Sequence, residues 1–544
     1  MAERRVGKRS RGEPLTSDTP EGKTVSRREL LQFIAGGAAA LTAGSLGLRP
    51  LDLLVPSAQR ADISRVLAAG APAGTAVLAI GGDPTSLDPQ AVEEGNERAV
   101  NDNVYETLVN RDAQERIIPW LATSWSQPNP TTFRFRLHRG VRFHNGESFD
   151  ADAAVFSIKR IISPELKSQF AANIATIADA RKVDASTFDL VTKEPDPALL
   201  ARLFSIRMMA PNWTQQTGNQ TANQTNGTGP YKVTAWRRGV AVELQANDQY
   251  WGGAPRVKRA RVRIIPEDQT RLSALQAGEV DVVRGLLPEQ LAQAPATAAA
   301  LGPQYSFIRL SNLRGSPVRD RRIRQALNYA VDKQTLLRQL HGGKGRLLPG
   351  QLSGPEMFGF NPRLRPYPYD PDRARALLSA AGARGLALEI VGTRGRWAAD
   401  ALEAQAIGGM FEKVGVKTKV TLLNFQQWLK AADRKQTPNS PPVLYIQHDN
   451  TLFDADRTVS NYYSLTGSFS MYGNPTLDRL IERARAEIDP KKREQLYWRV
   501  FSLGREDPPM VFLAQLADVW GVSRRLRWTP VPDGRVLFKD MALR

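Results

Sequence analysis

The apolar spacing of this chain switches repeatedly between helical and extended, and that alternation limits its fold more tightly than any other feature. The switch is clearest over residues 369–422. Asp370 can cap a helix, Pro371 suits a first turn, Ala374, Leu377, Leu378 and Ala381 form one stripe, and Gly382 ends it. Residues 386–391 then read as a strand, 399–414 as a helix and 416–422 as a strand. The same alternation occurs earlier. Residues 75–80 (TAVLAI) read as a buried strand that runs into the polar loop GGDPTSLDP. Residues 132–137 (TFRFRL) put Phe133, Phe135 and Leu137 on one face, and Asp150 caps a helix carrying Val155, Phe156 and Ile158. Residues 215–229 read as a polar loop. YKVTAW, the turn Arg237-Arg238-Gly239 and the returning Val240, Val242 and Leu244 read as a hairpin. Strands interleaved with helices predict α/β lobes, and 544 residues exceed what one core organises.

The first 73 residues are a separate matter. Met1 to Lys23 is polar and has no apolar period, and the run from Phe33 to Leu48 is uncharged but rich in Ala and Gly. It is shorter and softer than a membrane span, which needs about 20 strongly apolar residues. A basic stretch followed by a weak apolar core fits a secretory signal. Arg27-Arg28, with Leu30-Leu31 just beyond, resembles the twin-arginine export signal, which carries folded proteins across a membrane. Residues 1–73 are therefore expected to be a leader, cut near Ala71-Pro72-Ala73 or at Ala58 or Ala61, or left uncut as a tether.

Composition excludes several chemistries. The chain has no cysteine, so no disulfide, thiolate metal site or lipid-bearing cysteine can form. Its 74 Lys and Arg against 55 Asp and Glu give a net charge of +19, but the basic residues lie beside acids, as in RDRRIRQ, and no nucleic-acid motif occurs. No HExxH, GxSxG, Walker loop or GxGxxG is present. His138, His144, His341 and His448 are scattered, and Asp150 with Asp152 reads as cap and dipole partner rather than an acid/base pair. The expectation is a protein with no catalytic residues, no cofactor and no metal.

Six segments in order carry a family resemblance. They are TFRFRLHRGVRFHNGESFDADAAVFSIKR, NGTGPYKVTAW with NDQYWGG, RLSALQAGEVDVV, VRDRRIRQALNYAVDK, NPRLRPYPYDPDRARALLSAAG and YGNPTLDRLIERA. Together they resemble the family 5 extracellular solute-binding proteins, the dipeptide, oligopeptide and nickel binders of ABC importers. The resemblance implies a two-lobe, type II periplasmic-binding fold: lobe I with an extra subdomain over 74–310, lobe II over 311–515, and a return to lobe I over 516–544. It also implies a monomer that traps a peptide-like solute between lobes and delivers it to ABC permease subunits, without nucleic acid, on the extracytoplasmic side. A metal chelate, opine or oligosaccharide is the alternative ligand; an exported enzyme or a polyanion binder is less favoured.

The resemblance also implies site residues. The arginine that pairs with a ligand carboxylate falls on Arg394 in GTRGRW, where a guanidinium fork suits the task. Trp397 is an apolar wall or a core residue. The aspartate that takes a ligand amine falls within 445–457, where Asp449 and Asp454 both qualify and His448 lies adjacent. Thr85, Ser86 and Leu87 are expected to supply hydroxyl and backbone contacts from lobe I.

Overall fold

The computed structural model describes residues 74–92, 95–433 and 440–544. The leader and Arg27-Arg28 lie outside the described residues. Strand Thr75–Ile80 is buried along its whole length because it lies between two parallel neighbours, Arg259–Ile264 and Val282–Arg284. A strand covered on both faces needs an unbroken apolar run, which TAVLAI supplies.

Eleven of the described strands form one sheet. Its order is Lys417–Leu423, Ala387–Thr393, Val443–Asp449, Ala296–Leu310, Met510–Val522, Val282–Arg284, Thr75–Ile80, Arg259–Ile264, Ala241–Ala246 and Tyr231–Arg237, with Gly345–Leu347 paired to Met510–Val522. Two long antiparallel strands, Ala296–Leu310 and Met510–Val522, run through the middle of this order. Their ladder pairs Ala296 with Val522 through Leu301 with Ala517, breaks, and resumes from Tyr305 with Gln515. Gly302 and Pro303 occupy the break, where proline has no N–H to give the ladder. Side chains change allegiance there. Tyr305, Phe307 and Leu310 join one core with Met510 and Phe512, whereas Ala298 and Ala300 pack with Trp520 and Trp528 in another.

A third core surrounds the antiparallel sheet Ala122–Asn129, Thr132–Leu137, Thr187–Thr192 and Ile177–Asp184. Phe135 and Phe188 stack at its centre with ring centroids 5.2 Å apart. The helix Ala151–Ile162 covers it. Asp150 accepts from the backbone N–H of Asp152 and Ala153 at its start, a cap worth about 1 kcal/mol.

The polar stretch at 215–229 differs from the loop its composition predicts. Its first part continues the helix Pro211–Thr217 and the 3-10 turn Gly218–Ala222. The Glu147 carboxylate accepts from the N–H groups of Asn212 and Trp213, both at 3.1 Å. Proline at the first position and an acid at the open N-terminus outweigh the low intrinsic propensity of the residues that follow.

Candidate functional site

Two sets of parallel strands point their carboxyl ends at the same place. In one half, Ala387–Thr393 and Val443–Asp449 run together, and Asp449 ends opposite Gln304. In the other, Thr75–Ile80 and Val282–Arg284 run together, and Arg284 ends opposite Trp520. Thr393, Asp449, Ile80 and Arg284 therefore all face the ladder break. Open α/β sheets bind ligands beyond the carboxyl ends of their strands, so the loops that follow these four ends form the walls of the candidate site.

The first wall is the loop after Ile80, and its polar groups are already committed. Asp83 accepts from Trp236 Nε1 at 3.0 Å and from the Gly239 N–H at 2.9 Å. The Thr85 N–H and hydroxyl both donate to Glu97 Oε1, at 2.6 and 2.8 Å. Ser86 is buried, and its hydroxyl accepts from the Asp88 N–H at 3.0 Å. Leu87 is wholly buried in the core and donates its N–H to the Ala222 carbonyl. Asp88 forms a two-point pair with Arg160, at 2.5 and 3.2 Å.

The second wall comprises residues 394–397 and the segment from Asp449 to Asp454. Asp400 organises the former. Its carboxylate accepts from the N–H groups of Gly395, Arg396 and Trp397 and from the Thr393 hydroxyl. Arg394 is exposed, and its guanidinium has no hydrogen-bond or ion-pair partner among the described residues. Trp397 is half-buried and meets Trp428 edge-on at 5.0 Å, so it belongs to an aromatic wall with Phe425.

The three neighbouring candidates at 448–454 have different surroundings. His448 is buried with its Nε2 3.2 Å from the Thr458 hydroxyl and its ring against Tyr462, and burial pushes its pKa well down. Asp454 is buried, accepts two bonds of 2.7 Å from Arg493, and caps the helix Ala455–Tyr462. Asp449 is exposed and its side chain accepts no hydrogen bond among the described residues. Surrounding protein raises its pKa by desolvation, which Arg457 opposes; Asp518 raises it further, while Arg98 and Arg284 act to lower it.

Asp518 leaves the returning strand beside the break and lies 3.4 Å from Arg284. Gly302 and Gly534 leave room there: a Cβ on Gly534 would sit 3.1 Å from the Asp518 carboxylate, and one on Gly302 3.6 Å. Arg98, Arg284, Asp518 and Arg457 were not singled out by the sequence reading. They come from four distant segments, with Arg98 beside Glu97 and Arg457 beside Asp456, and their shared influence on Asp449 unites them.

Residues of the two halves also touch directly. Arg111 donates to the carbonyls of Thr451 and Leu452 at 2.9 and 3.0 Å and stacks between Phe204 and Phe453. Phe453 has a φ of 51°, a costly conformation for an aromatic residue. Arg202 pairs with Asp456 at 3.0 Å. A cavity of about 60 Å³ lies behind Arg111, lined by Asp102, Arg207, Thr451 and Arg535 among others. Among the described residues no group of three or more acidic or histidine side chains is placed to hold a metal ion, and no helix is long and apolar enough to cross a membrane.

Two lobes joined by a pair of crossing strands, with charged groups at the strand ends beside the crossing, are the architecture of a ligand-trapping protein. The family model described as bacterial extracellular solute-binding proteins, family 5, matches residues 116–469, and the chain belongs to that family. It is 27% identical over 485 residues to the glutathione-binding protein GsiB of Pectobacterium atrosepticum, covering 86% of this chain and 94% of that one. It is 26% identical over 528 residues to the dipeptide-binding protein of Escherichia coli, covering 88% and 97%. The solved structure of HbpA2 from Haemophilus parasuis superposes with a TM-score of 0.77 at 22% identity, over 86% of this chain and all of the other. The family is described by solute binding, and both named relatives are binding proteins.

Proposed function

We propose that this chain captures a peptide or peptide-like zwitterion between its lobes, outside the cytoplasmic membrane, and passes it to an ABC permease. The chain crosses between lobes at 302–304 and returns at 515–517, where the ladder breaks and the core residues change sides. Ligand that contacts both walls only when they meet shifts the population toward the closed form.

Asp449 carries the reading. A carboxylate without a partner among the described residues, desolvated by the protein around it, gains strongly when a ligand ammonium arrives. Arg394, exposed and unpaired at the neighbouring strand end, is the group for the opposite charge, with Arg98, Arg284 and Arg457 around the floor. Asp454 and His448 support the wall from behind and take no part in contacting solute. The two relatives above bind, by name, glutathione and dipeptides, both of which carry a free amine and a free carboxylate.

The experiment is thermal unfolding of the mature protein with a protein hydrolysate, before and after N-acetylation. The expected result is a rise in Tm with the untreated peptides that acetylation removes. Equal stabilisation by both preparations would take Asp449 out of the site. Export by the twin-arginine route is part of the same reading: Arg27→Lys with Arg28→Lys leaves the protein inside the cell, and normal export of that variant would exclude the route.

A further inference from the structure

The second lobe is far more basic than the first. Residues 305–516 hold 32 Lys or Arg against 20 Asp or Glu, a net +12. Residues 74–304 with 517–544 hold 31 against 28, a net +3. One contiguous face carries arginines that aromatic rings, rather than carboxylates, hold in place. Arg363 lies over Trp498 at 5.4 Å, Arg505 over Tyr367 at 3.6 Å and Arg373 over Tyr329 at 4.5 Å. Tyr329 and Tyr367 are themselves in edge contact at 5.2 Å, and Arg505 Nε donates to the Arg365 carbonyl at 3.0 Å. Arg363, Arg365 and Arg373 are exposed.

None of these four guanidiniums has a carboxylate partner among the described residues. The nearby acids are engaged elsewhere: Asp370 caps the helix Pro371–Ala380 and Asp372 pairs with Arg375 at 2.6 Å. Asp507 pairs with Arg324 and Asp332 caps the helix Lys333–Leu340, while Glu506, exposed at the end of the helix Pro490–Glu506, is a further acid next to Arg505. Ring stacking fixes the planes of three arginines without neutralising them. Tyr369, 45% exposed, stands in the same loop beside the exposed Pro368.

We propose that this face docks on an anionic lipid bilayer, with Arg363, Arg365, Arg373 and Arg505 meeting phosphate headgroups and Tyr369 at the interface. Guanidinium forks suit phosphate oxygens, and tyrosine favours the headgroup level. The charge asymmetry turns the second lobe toward a negative surface before contact. Each cation near such a surface strengthens binding by roughly fivefold.

The test is co-sedimentation of the mature protein with vesicles of phosphatidylcholine alone or with roughly a third phosphatidylglycerol, which supplies the negative surface potential the proposal needs. The triple variant Arg363→Gln/Arg365→Gln/Arg373→Gln is compared with Arg136→Gln/Arg139→Gln/Arg256→Gln, which removes three exposed charges from the first lobe. Both are checked for unchanged thermal unfolding. The expected result is salt-sensitive binding to the anionic vesicles, reduced at least about tenfold in the first variant and less than about twofold in the second. Equal losses in both variants, absence of a preference for anionic lipid, or full displacement by millimolar inorganic phosphate would each overturn the proposal. Retention of vesicle binding by the triple variant would do the same.

Discussion

The two walls of the recess handle polar groups in opposite ways. In the first, Asp83, Thr85, Ser86 and Asp88 are consumed in holding the loop against Trp236, Glu97 and Arg160. In the second, Asp400 takes over the anchoring through backbone N–H groups, which leaves the side chain of Arg394 exposed, and Asp449 has no partner among the described residues. The first wall is thus a fixed shape and the second a set of available charges. Under the proposed function, the second wall and the crossing floor read ligand charge, while the first wall limits size.

This contrast can be broken most severely at Asp454. Replacing it with Asn removes one partner of a buried two-point pair and strands Arg493, a change that costs about 3–5 kcal/mol. Thermal unfolding should show a large drop in Tm. Asp449→Asn, five residues earlier, should leave Tm within about 1 °C yet weaken solute binding by about tenfold to a hundredfold, the worth of one charge-assisted hydrogen bond. Equal destabilisation by the two variants would erase the distinction between a structural and a binding aspartate.

Arg111→Ala should act on closure. Loss of the bonds to Thr451 and Leu452 predicts a larger radius of gyration by small-angle scattering for the ligand-free protein, and Arg111→Lys should restore only part of the compaction because it lacks the fork. Identical scattering would show that these bonds do not hold the lobes together.

A smaller, pH-dependent effect belongs to Glu115. Burial, followed by the nearby Asp533 carboxylate, pushes its pKa up to about 8, against the pull of Arg111 and Arg535. The folded protein therefore favours the protonated acid. Its contribution is fully present below about pH 4.5 and is lost as pH rises toward 8. Glu115→Gln should flatten the fall in stability across that window, measured as the difference between wild type and variant.

Much of the fold was legible because local pattern and tertiary role agree. TAVLAI is a buried strand, TFRFRL a half-buried one, and Asp150 and Asp370 cap the helices they precede. The strand Ala296–Leu310 was not legible in its first half. ATAAALGP carries no β signal, and it is extended only because Met510–Val522, two hundred residues away, supplies its ladder. The site was legible only as a shortlist. Asp449 and Asp454 are equivalent in sequence, and the choice between them depends on Arg493, 39 residues beyond Asp454. Arg98, Arg284 and Asp518 gave no signal because single charges in unrelated segments, Arg98 beside Glu97 among them, look like solvated surface.

The most direct measurement is native mass spectrometry of wild-type and Asp449→Asn protein, each purified folded from outside the cytoplasmic membrane, followed by denaturing release of what each carries. The account predicts short zwitterionic peptides from the wild type and an emptied but folded variant. The same solute at the same occupancy in both would contradict it.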